Sequence, residues 1–305
     1  MMFTGKTIAL SEVAKDLAIV IVRDAQIGNV GKIPSRVANR LVYVGEEKYI
    51  AELGKHDGIS AVIVPPHLAG SVPTHYGLAT AENPHIAAID IFEVMVALPN
   101  FLWEDFQTRI AASAQVHSGA IIADKNVIIG ERTFIDAGTV VRERSIIGDD
   151  CYIGALSVIG AEAFEMMPGS NPKRLMKQAG GVRMESRSTV LSAAMIVRAT
   201  FGGFTEIRAG ACVDNLTHIA HDVDIGRNAS VVACAEVSGR VVLGENSYVG
   251  PNACISNGLT IGANATITLG SVVVRDVPDD VRVTGNFAVP HRQWIRFVKT
   301  VAKDS

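Results

Sequence analysis

Between Ile207 and Val273 every sixth residue is aliphatic: Ile207, Val213, Ile219, Ile225, Val231, Val237, Leu243, Val249, Ile255, Ile261, Ile267 and Val273. The residue four places later is small or β-branched at Ala211, Thr217, Val223, Ala229, Ala235, Val241, Ser247, Ala253, Ala265, Ser271 and Val277, and bulky only at Leu259. An earlier block keeps the rhythm at Ile129, Ile135, Val141, Ile147, Ile153 and Ile159, with Ile110, Val116 and Ile122 leading into it. A period of six fits neither a helix nor a plain alternating strand. It fits a short strand per hexad, with one aliphatic side chain turned into a shared interior and a small residue beside each tight corner; stacked hexads then form the coils of a parallel β-helix.

The rhythm stops between the blocks. Residues 161–188 contain Pro168, Gly169, Pro172, Gly180 and Gly181 and read as an excursion from the coil. Its Lys173, Arg174 and Lys177, with Met166, Met167 and Met176, suit either an anionic, partly apolar ligand or a solvated loop with packed methionines. Before the coil, "IALSEVAKDL", "EEKYIAEL" and "PHIAAIDIFEVMVAL" predict helices, and "RLVYVG" and "SAVIVPP" predict strands. The expected organisation is therefore a small α/β domain over 1–104, the coil over 105–282 with its excursion, and a tail over 283–305. In the tail, a basic amphipathic helix starts near His291.

Composition narrows the function classes. With 48% hydrophobic and 19% charged residues over 305 positions the chain is a folded protein, and a net charge of −3 without a Lys/Arg run excludes a nucleic-acid binder. The longest apolar run near the N-terminus, Leu17 to Val22, is too short for a secretion signal or a membrane span, so a cytoplasmic location is expected. Cys151, Cys212, Cys234 and Cys254 are far apart and suggest neither a zinc knuckle nor a disulfide framework.

"NLTHIAHDVDIG" sets His218 and His221 three residues apart inside this regular pattern. Ile219 and Ile225 belong to the interior, so His221 falls near a corner, from which its side chain can face a groove. Histidine is the natural base for an amine nucleophile at neutral pH. Asp222 or Asp224 can orient its ring, and Gly239, Gly250, Gly258 and Gly270 offer backbone N–H groups for an oxyanion. Asn215 suits substrate binding or a structural ladder, and His218 a supporting role or a surface one. His56, His67, His75, His85, His117 and His291 have no comparable context.

The hexads resemble those of the hexapeptide-repeat acyltransferases, whose left-handed β-helices form trimers with active sites between subunits. More narrowly, the chain is similar to the UDP-3-O-acylglucosamine N-acyltransferases of lipid A synthesis. "RLVYVGEEKYIAEL", "SAVIV" and "ENPHIAAIDIFE" resemble that family's uridine-binding domain, and "IGAEAF" with "QAGGV" its mid-coil motif. "DNLTHIAHDVDIG" resembles its catalytic segment and "PHRQWIR" its tail. The resemblance implies a mainly β fold: a left-handed parallel β-helix with a small N-terminal α/β domain and a short C-terminal helix. It makes His221 the general base and sets Tyr43 and Tyr49 against the uracil. Phe164 falls near the sugar or acyl groove; His218, Asn215, Gly239 and Gly258 complete the expected substrate site.

The implied activity is N-acyl transfer to the amine of a nucleotide-linked amino sugar, in lipid A or surface-polysaccharide synthesis. Acyl carrier protein or coenzyme A brings the acyl thioester; no permanent cofactor or metal is expected, and the expected assembly is a homotrimer. Two departures, Glu46 in place of an Asn between the aromatics and Leu259 in place of a second histidine after "NG", point to a different acyl donor or sugar. The competing readings are an acetyl-CoA-dependent sugar N- or O-acetyltransferase, a metal-dependent β-helix hydratase using His218, His221 and the remote His117, and a non-catalytic scaffold.

Overall fold

The computed structural model describes residues 4–285 and 288–301. From Arg109 to Val283 the chain winds through short strands that stack into three parallel sheets, two of eight strands and one of nine. The fold is mainly β, a left-handed parallel β-helix. The hexad residues fill its interior: Ile129, Ile153, Ile207, Ile225, Val237, Ile255 and Ile267 are among a single continuous cluster of buried side chains.

Each corner has its own requirement. Three residues after each inward aliphatic residue the chain enters the left-handed region, as at Arg132, Asp150, Leu216, Asp222, Asn228, Arg240, Asn246 and Asn252. No β-branched residue occupies such a corner among the described residues, because a branched Cβ would collide with the backbone there. A non-glycine residue in this region costs roughly 1–2 kcal/mol. Burying one Val, Leu or Ile contributes roughly 1.5–3 kcal/mol, so each hexad still gains.

The rhythm resumes earlier than the sequence spacing predicts. Gly181–Met184 already lies in a sheet between Ser145–Ile147 and Phe204–Ile207, which corrects the excursion from 161–188 to 162–180. Met184 takes the inward position in place of an aliphatic residue. Gly181 starts the strand because a side chain there would strike the Arg144 carbonyl. A second, unforeseen interruption separates the strands Met195–Val197 and Phe204–Ile207.

The N-terminal domain has a five-stranded sheet in the spatial order Val20–Arg23, Gly77–Thr80, Ile59–Val64, Arg40–Tyr43 and Asn29–Gly31, parallel except for Val20–Arg23. Successive residues point to opposite faces. Leu41, Ala61, Ile63 and Ala79 pack in one core with the helix Pro84–Ala97, while Val42, Val62, Val64 and Leu78 pack on the other side with Leu53 and Leu68. Asn83 caps that helix, accepting from Ile86 N at 3.1 Å, with Pro84 in its first turn.

The other expected helices are smaller. "IALSEVAKDL" forms a two-residue strand, Ile8–Ala9, and a single turn, Leu10–Val13, because Ile8 and Ala9 pair with Ile27 and Gln26. "EEKYIAEL" winds as the 3-10 helix Glu47–Lys55. The tail helix spans His291–Val301 and leaves Trp294, Ile295, Phe297 and Val298 exposed.

The small domain is packed onto the coil. Phe92 of its helix meets Phe201 edge-on at 5.0 Å, and Met176 and Ala179 from the excursion join the same core. Trp103 Nε1 donates to Ala179 O at 2.7 Å. Arg174 pairs with Glu93 at 2.8 Å, so within the excursion Met176 and Arg174 serve packing and tethering.

The corner requirement makes a stability prediction. Asn252→Val puts a β-branched residue at φ 54° on an exposed corner and should cost about 1–2 kcal/mol in denaturant unfolding. Asn252→Gly should be close to neutral; equal losses for both would show that the backbone conformation is not what sets the cost.

Candidate functional site

The corner that carries His221 turns from one sheet into the next between His218–Ile219 and Asp224–Ile225. One full coil further along, 18 residues on, lie Gly239 and Arg240, with Arg240 N bonded to His221 O at 2.9 Å. The imidazole lies over Gly239: a Cβ there would be 2.5 Å from His221 Nε2. This glycine is therefore required by close approach of a side chain, although its own backbone is not in the left-handed region.

Two carboxylates flank the ring. Asp222 Oδ2 lies 2.8 Å from Nδ1 and Glu165 Oε1 3.3 Å from Nε2, and the histidine side chain is 15% exposed. Asp222 is held by its corner: its N–H donates to Thr205 Oγ1 at 2.9 Å, and its carboxylate receives Thr200 N at 3.4 Å. Glu165 is fixed by the excursion, where Met176 N donates to Glu165 O at 2.8 Å and Gln178 brackets Ala163 through two 2.8 Å hydrogen bonds.

A third group comes from the N-terminal domain. Lys32 Nζ donates to Tyr43 Oη, and the Tyr43 ring stacks on His85 at 4.6 Å. Burial lowers the Lys32 ammonium from its ordinary range, and the Arg240 charge lowers it further. Burial, reinforced by the Glu165 charge, pushes the Tyr43 phenol up to about 12. Burial and Lys32 likewise lower His85. Lys32, Arg36, Phe201, Asp222 and Arg240 line a cavity of about 100 Å³ between the domain and the coil.

The loop bearing Lys32 and Arg36 is shaped by Arg40, a fully buried guanidinium that donates to the carbonyls of Lys32, Ile33, Val37 and Asp57. Arg36 then reaches the coil and pairs with Asp224. Arg208 binds Asp224 through two hydrogen bonds of 2.9 and 3.1 Å and Glu185 at 3.0 Å, and Arg183 meets Glu206 at 3.2 Å. Burial raises the Glu206 carboxyl despite these arginines. Glu206 and Asp224 are register partners, and stacked like charges repel unless neutralised. Arg36 brings one of the cations from the small domain.

The expected site residues divide into two groups. His221 and Gly239 are in contact, and Tyr43 joins them through Lys32 and the field of Glu165. The others stand apart. Tyr49 is 45% exposed beneath Lys48, Phe164 is 87% exposed, and Glu46 pairs with Lys48 at 2.8 Å. Asn215 Oδ1 accepts from Ser192 N at 3.0 Å, a ladder contact between coils. His218 stands in register between Met195 and Glu236. A Cβ on Gly258 would meet nothing within 4 Å, and Leu259 packs against the coil interior.

Sequence reasoning missed Lys32, His85, Glu165 and Arg240. Counting one coil on from Asp222 would have found Arg240; nothing local marks Lys32. Among the described residues, no three His, Cys, Asp or Glu side chains are grouped as metal ligands, and no helix is long and apolar enough to cross a membrane.

Residues 126–161 match the family model described as bacterial transferase hexapeptide (six repeats). The matched stretch lies within the three-sided coil, over its strands from Val127–Ile129 to Val158–Ala161. The chain is similar to proteins named UDP-3-O-acylglucosamine N-acyltransferase. The protein of that name from Helicobacter hepaticus is 26% identical, over 93% of each chain. Its counterpart from Caulobacter sp. (strain K31) is 34% identical over 50% of this chain and 44% of its own length, so that match spans under half of the relative. Among solved structures, the UDP-N-acetylglucosamine acyltransferase from Campylobacter jejuni superposes with a TM-score of 0.48 at 23% identity, covering 58% of this chain and 72% of that one.

Tyr43 supplies a direct check of the packed site. Of the five tyrosines, this one should ionise near 12 in an ultraviolet titration, and Tyr43→Phe should remove that step. Because the folded state holds this proton more tightly than the unfolded chain, the associated stability is complete below pH 10 and is lost as pH rises towards 12. A Tyr43 that titrated near 10 would mean that the domain is not docked on the coil in solution.

Proposed function

We propose that the protein transfers an acyl group from a thioester to the amine of a nucleotide-linked amino sugar, with His221 as the base. The observation that carries this reading is the setting of His221. A carboxylate lies on Nδ1, a glycine leaves space against the ring, and a cationic cavity opens beside it. With Asp222 accepting the Nδ1 proton, Nε2 keeps its lone pair for proton abstraction. Lys32, desolvated and repelled by Arg240, suits with it a diphosphate between the two cations, and the Tyr43–His85 stack beside Lys32 suits a nucleobase. The full-length similarity to UDP-3-O-acylglucosamine N-acyltransferases supports a uridine nucleotide and a place in lipid A synthesis.

The chemistry closes with these groups. The sugar ammonium loses one proton to solvent, and the neutral nitrogen attacks the thioester carbonyl carbon. His221 Nε2 takes the second proton as the N–C bond forms. The N–H of Gly239, unbonded among the described residues, is available to the oxyanion. Collapse breaks the C–S bond, and the imidazolium returns its proton to the sulfur. The products are an amide, a free thiol and one released proton. The reading takes an acyl carrier protein or coenzyme A as the thioester carrier and a homotrimer as the working assembly.

The test is a panel of UDP- and dTDP-linked amino sugars with acyl-carrier and coenzyme A thioesters, read by mass spectrometry. At least one pair should yield an amide. His221→Ala should lower that rate about 10²–10⁴-fold, and Gly239→Ala, which pushes the ring aside, should also suppress it while the circular dichroism spectrum stays native. Silence of the wild-type protein towards every pair would overturn the function, and full activity of His221→Ala would overturn the base.

A further inference from the structure

We infer that Glu165 is the residue that selects a charged amine: it receives the substrate's ammonium against His221, so that the site prefers a free amino sugar over a hydroxyl or an N-acylated one. The inference rests on the proposed acyl transfer and names the substrate class of that site.

The base alone does not require Glu165. Asp222 already holds Nδ1, and a second carboxylate on Nε2, at 3.3 Å, occupies the side of the ring from which a nucleophile must approach. A neutral hydroxyl arriving there would have to separate two groups that attract each other whenever the ring is charged. An ammonium has three donors in a compact, strongly charged head and can replace that contact instead of breaking it. It can donate one hydrogen to Glu165, leave another facing solvent, and come to lie beside Nε2 once it is deprotonated.

Glu165 is placed for such exchange. Its carboxylate is about a third exposed, so a proton released there reaches water, while its backbone is pinned to Met176. Lys32 lies within the electrostatic reach of Arg240, which repels it, and of Glu165 and Asp222, which attract it. A substrate carrying both a diphosphate and an ammonium offers a partner to each sign of charge, its phosphates to Lys32 and Arg240 and its ammonium to Glu165. That polarity fixes which way round it binds.

The experiment measures calorimetric binding of UDP, UDP-glucosamine and UDP-N-acetylglucosamine to the wild-type protein, Glu165→Gln and Glu165→Asp. UDP should bind all three proteins, and because the Glu165 charge also reaches Lys32 and Tyr43 the preference is read as the ratio of the two sugar ligands within each protein. Wild type should bind UDP-glucosamine roughly tenfold more tightly than UDP-N-acetylglucosamine, as expected for one charge-assisted contact. Glu165→Gln should erase that preference with UDP binding intact, and Glu165→Asp should keep part of it. If UDP binds but the preference is absent from wild type or survives in Glu165→Gln, Glu165 is not the selector and the nucleotide reading stands. If wild type binds no UDP ligand, the nucleotide reading fails and the inference fails with it.

Discussion

The structure depends on a backbone constraint that recurs at nearly every corner of the coil: a residue in the left-handed region three places after each inward aliphatic residue. It turns the chain sharply enough to lay each coil on the last, and it fixes which residues stand above one another. Asp222 stands above Arg240, and His221 above Gly239. His221, the carboxylate beside it, its glycine floor and Arg240 thus share one corner over two turns. Moving the corner by one residue would bury His221 or turn it onto a flat sheet.

A coil alone would offer this corner to solvent. The outer face of the adjoining sheet carries Glu206 and Asp224 in register, and that unfavourable stack is neutralised by Arg183, Arg208 and, from the small domain, Arg36. Removing one partner from a buried charge network leaves a desolvated charge behind, so such contacts fix geometry more than they add stability. The same loop that delivers Arg36 delivers Lys32, and Arg40 holds the loop through four carbonyls. Docking and site assembly are therefore one event.

The coil was legible because its period is local. One inward aliphatic residue per six survives any tertiary arrangement, and the helix Pro84–Ala97 was marked by its cap and its apolar run. The excursion's end was not legible: Gly181 and Met184 re-enter the sheet without the aliphatic signature, and only the three strands Gly181–Met184, Thr189–Val190 and Met195–Val197 separate the excursion from the interruption before Phe204. Of the site, His221, Asp222 and Gly239 follow from counting coils. Glu165, Lys32 and His85 reach the same place by tertiary packing across long stretches of chain, for which residue spacing carries no signal.

The arrangement around His221 also bears on why a repeat fold should take on a separate domain and an excursion at all. A β-helix corner can hold a histidine and an adjacent aspartate by itself, and this supplies a base. Beyond Asp222 and Arg240, further charged groups around the ring have to come from outside the corner column, since residues at equivalent corners stack along one edge. The small domain adds Lys32, bonded to Tyr43, and the excursion adds Glu165, beside the His221 ring. The coil positions the histidine and its aspartate, and the two additions surround them with a lysine and a second carboxylate.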